Sequence, residues 1–319
     1  MGRWHAHAVR LAGAKVAVVV DRDEGRAAAL AHAHGALAGD DLARVLDSVD
    51  VVHVCTPTAS HVALVNLALD AGRHVLVEKP LAATADETRR LLTLAAERGT
   101  LLCPVHQFAW QPGVARLIAA LPGLGRVRHV DITTCSAGAA GSDEAEADAV
   151  ALEIVPHPLS LLARLLPAAV AAEWQVQRPA AGEYRLSTCA GGATVSVVLS
   201  MAGRPTVNAL RVIADHGTAH VNLFHGYAVI EGGAVSRARK ILQPLTLSAA
   251  TGATAAANLV RRAIRRQPAY PGLVELTRAF YEAAASGGPP PIAPEESLAI
   301  AHTVDAVRGN AGVPVPIDA

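Results

Sequence analysis

Glu78-Lys79-Pro80 is the segment of this chain with the clearest potential for acid–base chemistry. It follows an apolar run, and lysine is otherwise represented only by Lys15 and Lys240. The run predicts a buried strand, and open α/β sheets bind their ligands at the carboxyl ends of strands. Since a desolvated ammonium holds its proton less tightly, Lys79 is a candidate catalytic group.

A second candidate pair, Glu153 and His157, lies four residues apart. On a helix this spacing places both side chains on one face, close enough to interact. A histidine oriented by a carboxylate can exchange a proton with a substrate hydroxyl, so His157 is a candidate general acid–base. Pro156 and Pro158 interrupt the helix, and the alternative interpretation is a kink with a structural histidine.

The elements that would position Lys79 alternate regularly between strand and helix. Strands are predicted at residues 15–21, 50–55, 73–78 and 101–105, and helices at residues 24–34, 60–71 and 84–98. Thr84 and Glu87 form a capping box at the start of the last helix. Such alternation implies a parallel sheet with right-handed crossovers, which is an α/β domain of the Rossmann type over residues 1–106.

The pattern changes beyond residue 106. Strands are predicted at residues 127–134, 173–177, 184–189, 194–200, 209–214, 219–224 and 227–231, and helices at residues 114–120, 254–266, 273–285 and 295–308. Strands separated by turn residues such as Asp215-His216-Gly217 indicate antiparallel pairing. We therefore expect an α+β domain over residues 107–319 with a mostly antiparallel sheet.

Composition narrows the class of protein. The chain has 319 residues, 51% of them hydrophobic, and its 28 basic and 28 acidic residues balance. This balance predicts no nucleic-acid partner. We see no signal peptide and no apolar run of transmembrane length, so we expect a soluble cytoplasmic protein without a membrane partner. The four cysteines form no CxxC pair, so we expect no metal site and reduced, buried thiols.

The sequence opens with Met1-Gly2-Arg3 and passes directly into a predicted helix. A dinucleotide-binding domain normally begins with a strand and Gly-x-Gly-x-x-Gly. Gly2 fits the third glycine, which allows close packing of helix and strand, whereas the first strand and the first two glycines are not in this sequence. We expect a start codon that was placed too far downstream.

Several short motifs, taken together and in order, resemble those of one family. They are Gly-Arg-x-His-Ala at residues 2–6, Val20-Asp21, Cys55-Thr56-Pro57 with His61, and Glu78-Lys79-Pro80. This pattern resembles the glucose–fructose oxidoreductase/inositol dehydrogenase (Gfo/Idh/MocA) family over nearly the whole chain. The resemblance implies NAD or NADP as cofactor and a sugar, nucleotide-sugar or cyclitol-like substrate.

The resemblance also implies roles for particular residues. Lys79 would reach the substrate hydroxyl and the nicotinamide, Glu78 would border the cofactor, and the bond before Pro80 is often cis in the family. Thr56 and Pro57 would lie along the nicotinamide ribose. His61 would contact the same region, or would have no special role in the first turn of a helix.

At the other end of the cofactor, Asp21 can accept both adenosine ribose hydroxyls, which favours NAD. Arg22 can instead attract a 2′-phosphate, so NADP stays open. The alternative is that Asp21 caps the next helix.

In the second domain, the family typically has Asp-x-x-x-His where this chain has Glu153 and His157, and an acid where it has Ser160. Four arginines can hold the phosphates of a nucleotide-linked sugar, although a solvated helix face is the favoured interpretation. They are Arg261, Arg262, Arg265 and Arg266.

The resulting prediction is an NAD(P)-dependent dehydrogenase or reductase of CH–OH groups that forms a homodimer or homotetramer. The catalytic residues would be Lys79, His157 and Glu153. One alternative is a non-catalytic sensor or accessory protein with the same fold, since the family contains transcriptional co-regulators. Another is non-redox chemistry that uses a tightly held nicotinamide.

Overall fold

The computed structural model describes residues 1–233 and 236–313 of the chain. The described residues divide into two compact units. Unit 1 contains residues 1–106 and 273–305, and unit 2 contains residues 107–272 and 306–313. The predicted single stretch 107–319 for the second domain is therefore corrected, because residues 273–305 pack with the first unit.

Helices and strands are numbered here in chain order. The helices are α1 (Gly2–Leu11), α2 (Glu24–His34), α3 (His61–Asp70), α4 (Ala85–Glu97), α5 (Pro112–Leu124), α6 (Glu144–Ile154), α7 (Pro156–Leu165), α8 (Arg237–Ile264), α9 (Leu273–Ser286) and α10 (Pro294–Asn310). The strands are β1 (Val18–Val20), β2 (Leu37–Gly39), β3 (Val51–Val54), β4 (His74–Val77), β5 (Leu102–Pro104), β6 (Val127–Cys135), β7 (Gln175–Ala180), β8 (Glu183–Ala190), β9 (Ala193–Ser200), β10 (Val207–Ala214), β11 (Gly217–Asn222) and β12 (Tyr227–Gly232).

The strands of unit 1 are parallel, as the alternation of strand and helix predicts. They form a two-stranded sheet, β1-β2, and a three-stranded sheet, β3-β4-β5. Within the described residues, β1 and β3 belong to separate sheets.

The core of unit 1 surrounds β4. Val75, Leu76 and Val77 are fully buried, which is the pattern of a parallel strand covered on both faces. Helices α3 and α4 contact each other, and both also contact strands of the three-stranded sheet. The predicted capping box of α4 is confirmed, since Thr84 Oγ1 accepts a hydrogen bond from the Glu87 N–H and the Glu87 carboxylate accepts one from the Thr84 N–H.

Helix α9 explains why the boundary differs from the prediction. It contacts α1 and β4, and Arg278 donates a hydrogen bond to the Leu11 carbonyl oxygen at 3.1 Å. Its apolar face, which includes Leu276 and Phe280, is fully buried. The sequence predicts this helix, but nothing local in the sequence indicates which unit its apolar face joins.

Unit 2 is built on a seven-stranded sheet with the order β12-β11-β10-β6-β9-β8-β7. Only the β6–β9 pair among its recorded pairs is parallel, so the predicted mostly antiparallel sheet is confirmed. Alternate residues of β9, such as Val195, Val197 and Leu199, are buried, as expected for a sheet with one covered face. Helix α5 contacts β11 and β12.

A buried carboxylate joins α6 to this sheet. Asp148 is 4% exposed and accepts hydrogen bonds from Arg178 at 2.6 Å, from the Gly182 N–H at 2.9 Å and from the Tyr184 hydroxyl at 3.1 Å. Burial alone would raise the pKa of Asp148, but these donors outweigh burial and lower it. The cluster therefore holds an ionised acid in place.

The largest difference from the predicted elements is α8. A helix is predicted at residues 254–266, whereas α8 runs from Arg237 to Ile264 and includes Pro244. Proline normally indicates a helix boundary, which is why the sequence underestimates the length of this helix. In the part of the chain that the structure describes, no helix is both long enough and apolar enough to cross a membrane.

Candidate active site

The residues that follow β3, β4 and β5 lie side by side at the carboxyl ends of these strands, which we call the carboxyl edge. The Glu78 N–H donates to the Val54 carbonyl oxygen at 2.9 Å, and the Val105 N–H donates to the Val77 carbonyl oxygen at 2.8 Å. Parallel pairing thus continues past the ends of the strands. It brings together the predicted site residues of two loops, Thr56-Pro57 and Glu78-Lys79.

Glu78 is the best-anchored acid at this edge. It is 7% exposed, and His5 Nε2 lies 2.9 Å from its Oε1 atom. Burial alone would raise the pKa of Glu78, but the hydrogen bond from His5 and the nearby charge of Lys79 outweigh burial and lower it. Glu78 is therefore a buried carboxylate that stays ionised.

Lys79 is half-buried and precedes a cis bond to Pro80, as the resemblance implies. Its charge acts on a residue that the sequence analysis missed, His106, which follows β5 and is 3% exposed. Burial and then the Lys79 ammonium lower the pKa of His106 to about 4, so its imidazole is neutral. His106 Nδ1 has no hydrogen-bond partner among the described residues. Its position directly after a strand of the same sheet is the signal that could have identified it.

His61 is buried between the two loops. Its Nδ1 atom lies 2.9 Å from the Pro80 carbonyl oxygen, and its Nε2 atom lies 2.9 Å from the Thr56 carbonyl oxygen. A neutral imidazole can donate to only one of these two carbonyl oxygens, and either contact ties the ring to one of the loops. This geometry supports a positioning role for His61, and its predicted contact with the cofactor stays a prediction.

Asp21 follows β1 with an exposed side chain. The helix cap that was its alternative role belongs to Asp23, whose carboxylate accepts the Arg26 N–H at 3.0 Å. One Asp21 oxygen accepts the Asp23 N–H at 3.0 Å. Arg22 beside it is exposed as well, so both predicted determinants of the adenosine ribose are accessible.

The close helix–strand packing predicted for Gly2 stays a prediction, since it concerns a strand that is not among the described residues. A Cβ atom built on Gly2 would lie 3.7 Å from Leu30 Cδ2, which is an ordinary contact. The N-terminus of α1 nevertheless suits an anion. The helix has no side-chain cap, and its first N–H groups carry the positive end of the helix dipole. His5 in its first turn reaches Glu78, which places this end of the helix near the carboxyl edge.

The residues present fit a nicotinamide dinucleotide. An exposed carboxylate at Asp21 suits ribose hydroxyls, uncapped helical N–H groups suit a pyrophosphate, and exposed Thr56 and Pro57 stand next to Lys79. A neutral, buried imidazole at His106 adds a polar group without charge. The donor set is thus that of a polar, anionic dinucleotide.

In unit 2, the chain that carries Glu153 and His157 forms two consecutive helices, and Val155 between them keeps right-handed helical backbone angles. The pairing of the two side chains stays a prediction. Glu153 lies near the end of α6 and is exposed, whereas His157 lies in the first turn of α7 and is 6% exposed. The break at Pro156 arises because proline lacks the N–H that would continue α6. The His157 ring stacks on Phe108 with their centroids 4.3 Å apart. Ser160, in place of the acid of the family, donates to the His157 carbonyl oxygen at 2.8 Å.

The basic helix face is largely solvated, as the sequence favours. Arg261, Arg265 and Arg266 are exposed. Arg262 instead donates to the carbonyl oxygens of Gln267 at 3.0 Å and of Pro268 at 2.6 Å. It therefore fastens the chain that follows α8.

Residues 1–106 match the model of the GFO_IDH_MocA family, described as an oxidoreductase family with an NAD-binding Rossmann fold. Over these residues, the match agrees with the resemblance to the Gfo/Idh/MocA oxidoreductases that the motifs indicate.

Curated relatives include two enzymes of nucleotide-sugar metabolism. The chain is 33% identical over 131 residues to UDP-N-acetylglucosamine 3-dehydrogenase of Acidithiobacillus ferrooxidans, covering 41% of each chain. It is 36% identical over 152 residues to dTDP-3,4-didehydro-2,6-dideoxy-alpha-D-glucose 3-reductase of Streptomyces violaceoruber, covering 45% of this chain and 44% of the other. The matched region thus spans less than half the length of these relatives.

Solved structures extend the likeness of the fold to nearly the whole chain. The Acidithiobacillus ferrooxidans enzyme superposes with a TM-score of 0.75 at 21% identity, covering 97% of this chain and 94% of the other. A 3-ketoreductase from Actinomadura kijaniata, in complex with NADP and TDP-benzene, gives a TM-score of 0.72 at 22% identity and covers 95% and 93%. At these identities the comparison establishes the α/β fold with its second, mostly antiparallel sheet.

Proposed function

We propose that this protein is an NAD(P)-dependent oxidoreductase that acts on a hydroxyl or keto carbon of a sugar, nucleotide-sugar or cyclitol-like substrate. The observation that carries the proposal is the carboxyl edge, where the ionised Glu78 and the half-buried Lys79 stand beside the neutral imidazole of His106. The relatives named above, which act on nucleotide sugars, support the substrate class.

The cofactor supplies hydride transfer when bound, and the chain supplies position and charge. Asp21 accepts the adenosine ribose hydroxyls, and Arg22 attracts a 2′-phosphate if the cofactor is NADP. Thr56 and Pro57 line the nicotinamide ribose. These side chains are exposed at the ends of β1 and β3, where a ligand can reach them.

In the second part of the proposal, Lys79 stabilises the developing alkoxide of the substrate and His157 takes the hydroxyl proton. Glu153 tunes His157 from the preceding helix. The stacked ring of Phe108 holds the imidazole plane of His157, which fixes the direction in which its nitrogens can donate or accept. We also propose that the protein forms a homodimer or homotetramer, which light scattering would test.

Fluorescence titration with NADH and NADPH tests the cofactor part directly. We expect saturable binding of at least one of them by the wild-type protein. Asp21→Asn should weaken NADH binding, and Arg22→Ala should weaken only NADPH binding. The exposed Lys15 provides a matched control, because Lys15→Ala removes a charge away from the carboxyl edge. No binding of either dinucleotide by the wild-type protein would contradict the proposal.

A second candidate is a non-catalytic sensor with the same fold. Ser160 favours it, since a hydroxyl bonded to its own helix stands where the family has an acid. The sensor predicts dinucleotide binding without turnover. A panel of sugars and nucleotide sugars separates the enzyme from the sensor. Absorbance at 340 nm reports about one reduced nicotinamide per turnover, so it changes for the enzyme and stays constant for the sensor.

A further inference from the structure

A row of four hydrogen-bonded side chains runs from the carboxyl edge to α9. Its first contact joins Glu78 Oε1 to His5 Nε2 at 2.9 Å. The second joins His5 Nδ1 to His53 Nδ1 at 2.8 Å, and the third joins His53 Nε2 to the Tyr281 hydroxyl at 2.8 Å. Every ring nitrogen of the two histidines thus takes part in the row.

We propose that His5, His53 and Tyr281 form a proton wire that sets the charge beside Glu78 and Lys79 and releases or takes up one proton through the Tyr281 hydroxyl. His53 and Tyr281 are then positioning residues of the carboxyl edge, since they act on Glu78 only through His5. The proposal rests on the proposed function for its role in catalysis, but the wire itself can be tested without it.

The heavy atoms allow two arrangements that differ by one proton. In the first, His5 is an imidazolium: its Nε2–H donates to Glu78, its Nδ1–H donates to His53, and the His53 Nε2–H donates to the Tyr281 oxygen. In the second, His5 is neutral and keeps only its Nε2–H. The His53 Nδ1–H then donates to His5, and the Tyr281 O–H donates to His53 Nε2.

Passing from the first arrangement to the second moves two protons along the row and releases a third. His5 gives its Nδ1 proton to His53, and His53 gives its Nε2 proton to the Tyr281 oxygen. The former hydroxyl proton of Tyr281, which is half-buried, leaves to solvent. The exchange is balanced, needs no other reactant, and keeps every internal hydrogen bond in both arrangements.

The charged groups that face the row favour the first arrangement near neutral pH. Burial alone would lower the pKa of His5, but Cys55 beside it and Glu78 outweigh burial and raise the pKa to about 10. Burial and the His5 cation lower the pKa of His53. The Lys79 charge also acts on Glu78 and lowers its pKa, and burial raises the pKa of Tyr281.

The wire lets the groups beside Glu78 hold or release one proton. When His5 is an imidazolium, its positive charge offsets the negative charge of Glu78, and the positive charge of Lys79 is available to a ligand. When His5 has lost the proton, Lys79 alone offsets the negative charge of Glu78. The row therefore couples the net charge of Glu78, His5 and Lys79, which would act on a substrate hydroxyl, to proton exchange at Tyr281 of α9.

Nuclear magnetic resonance of ¹⁵N-labelled histidine rings tests the wire without any substrate. In the full-length wild-type protein, we expect His5 to stay doubly protonated well above the ordinary histidine pKa of about 6.5. His53→Phe removes the acceptor of the His5 Nδ1–H, so the titration of His5 should fall by about one pH unit.

Tyr281→Phe differs by one hydroxyl and keeps the ring, so it remains informative if His53→Phe does not fold. It closes the exit, and we expect exchange of the His53 ring proton with solvent to slow several-fold. Tyr227→Phe, which removes a hydroxyl from a half-buried tyrosine of β12, is the matched control and should leave the exchange rate unchanged. Melting temperatures confirm that each variant is folded.

The wire is overturned if His5 titrates at the ordinary histidine value in the wild-type protein, or if Tyr281→Phe leaves the exchange rate as it was. Failure of the proposed function looks different. In that case neither NADH nor NADPH binds, while the ring titrations still follow the expected order. If dinucleotide does bind, its pH profile should shift in His53→Phe and not in Tyr227→Phe.

Discussion

The two units each bury a carboxylate, and the comparison between these acids separates chemistry from architecture. Glu78 is 7% exposed and Asp148 is 4% exposed, and the pKa of each is lowered. Asp148 is held by Arg178, whose charge is permanent, and by the N–H and hydroxyl donors of Gly182 and Tyr184. Glu78 is held by His5 and Lys79, whose charges can change.

An acid whose donors keep their charge and their protons near neutral pH keeps its interactions there, and removing one partner of such a buried pair is destabilising. An acid whose partners exchange protons is sensitive to ligands and pH. The comparison therefore assigns Asp148 to the stability of unit 2 and Glu78 to the proposed reaction. Each prediction that follows separates these roles.

The largest effect is expected at Lys79. Lys79→Ala removes the charge that stabilises an alkoxide, so turnover of a true substrate should fall by roughly 10²–10³-fold. Because Lys79 is half-buried, the melting temperature should change little. Steady-state kinetics and thermal melting check both parts, with Lys15→Ala as the control. Wild-type turnover in Lys79→Ala would remove Lys79 from the mechanism.

Asp148→Asn should affect stability instead. The substitution removes the negative charge of Asp148, which is paired with Arg178. The Arg178 side chain is 29% exposed. Solvent screening therefore limits the loss of unfolding free energy to about 2 kcal/mol, below the cost of breaking a fully buried pair. Urea unfolding measures it, and Asp86→Asn, in an exposed pair with Arg89, should cost less than about 1 kcal/mol. Equal losses of unfolding free energy in both variants would show that the buried Asp148 cluster stabilises the protein no more than an exposed ion pair does.

The pH dependence of stability should differ between the two acids. His5 has a raised pKa of about 10 in the folded protein, so its contribution is full below about 6.5 and is lost as pH rises towards 10. The lowered pKa values of Glu78 and Asp148 give contributions that are lost only in acid. Unfolding free energy should thus fall between pH 6.5 and 10 in the wild-type protein and remain flatter in His5→Phe. The same slope in both proteins would contradict the assignment to His5.

Within the Asp148 cluster, a smaller effect than that of Asp148→Asn is expected at Tyr184. Tyr184→Phe removes one of several donors to Asp148 and leaves the others in place, so the loss of unfolding free energy should be about 1 kcal/mol. Turnover should be unchanged. A much larger loss would mean that the hydroxyl, rather than Arg178, keeps Asp148 ionised.

Much of the edge that positions the site can be predicted from the sequence. The apolar run before Glu78, the capping box at Thr84 and the alternation of strand and helix are local patterns, and local patterns report strands and helices directly. The motif that ends in Lys79-Pro80 also indicates the family. These features need no knowledge of distant contacts.

The sequence does not reveal the tertiary contacts between distant residues. His5 and His53 are 48 residues apart, and His53 and Tyr281 are 228 residues apart, so no spacing rule connects them. The return of residues 273–305 to unit 1 depends on which surface accepts the apolar face of α9. The boundary between α6 and α7 is an intermediate case, since Pro156 already indicates a helix boundary there.

The central claim is that Glu78 serves the reaction at the carboxyl edge, and kinetics of Glu78→Gln test it most directly. This change keeps the shape of the side chain and removes the negative charge with which both His5 and Lys79 interact. We expect turnover to fall by roughly 10²-fold, while Asp148→Asn keeps turnover near the wild-type value at a temperature where both variants are folded. Wild-type turnover in folded Glu78→Gln would contradict the account.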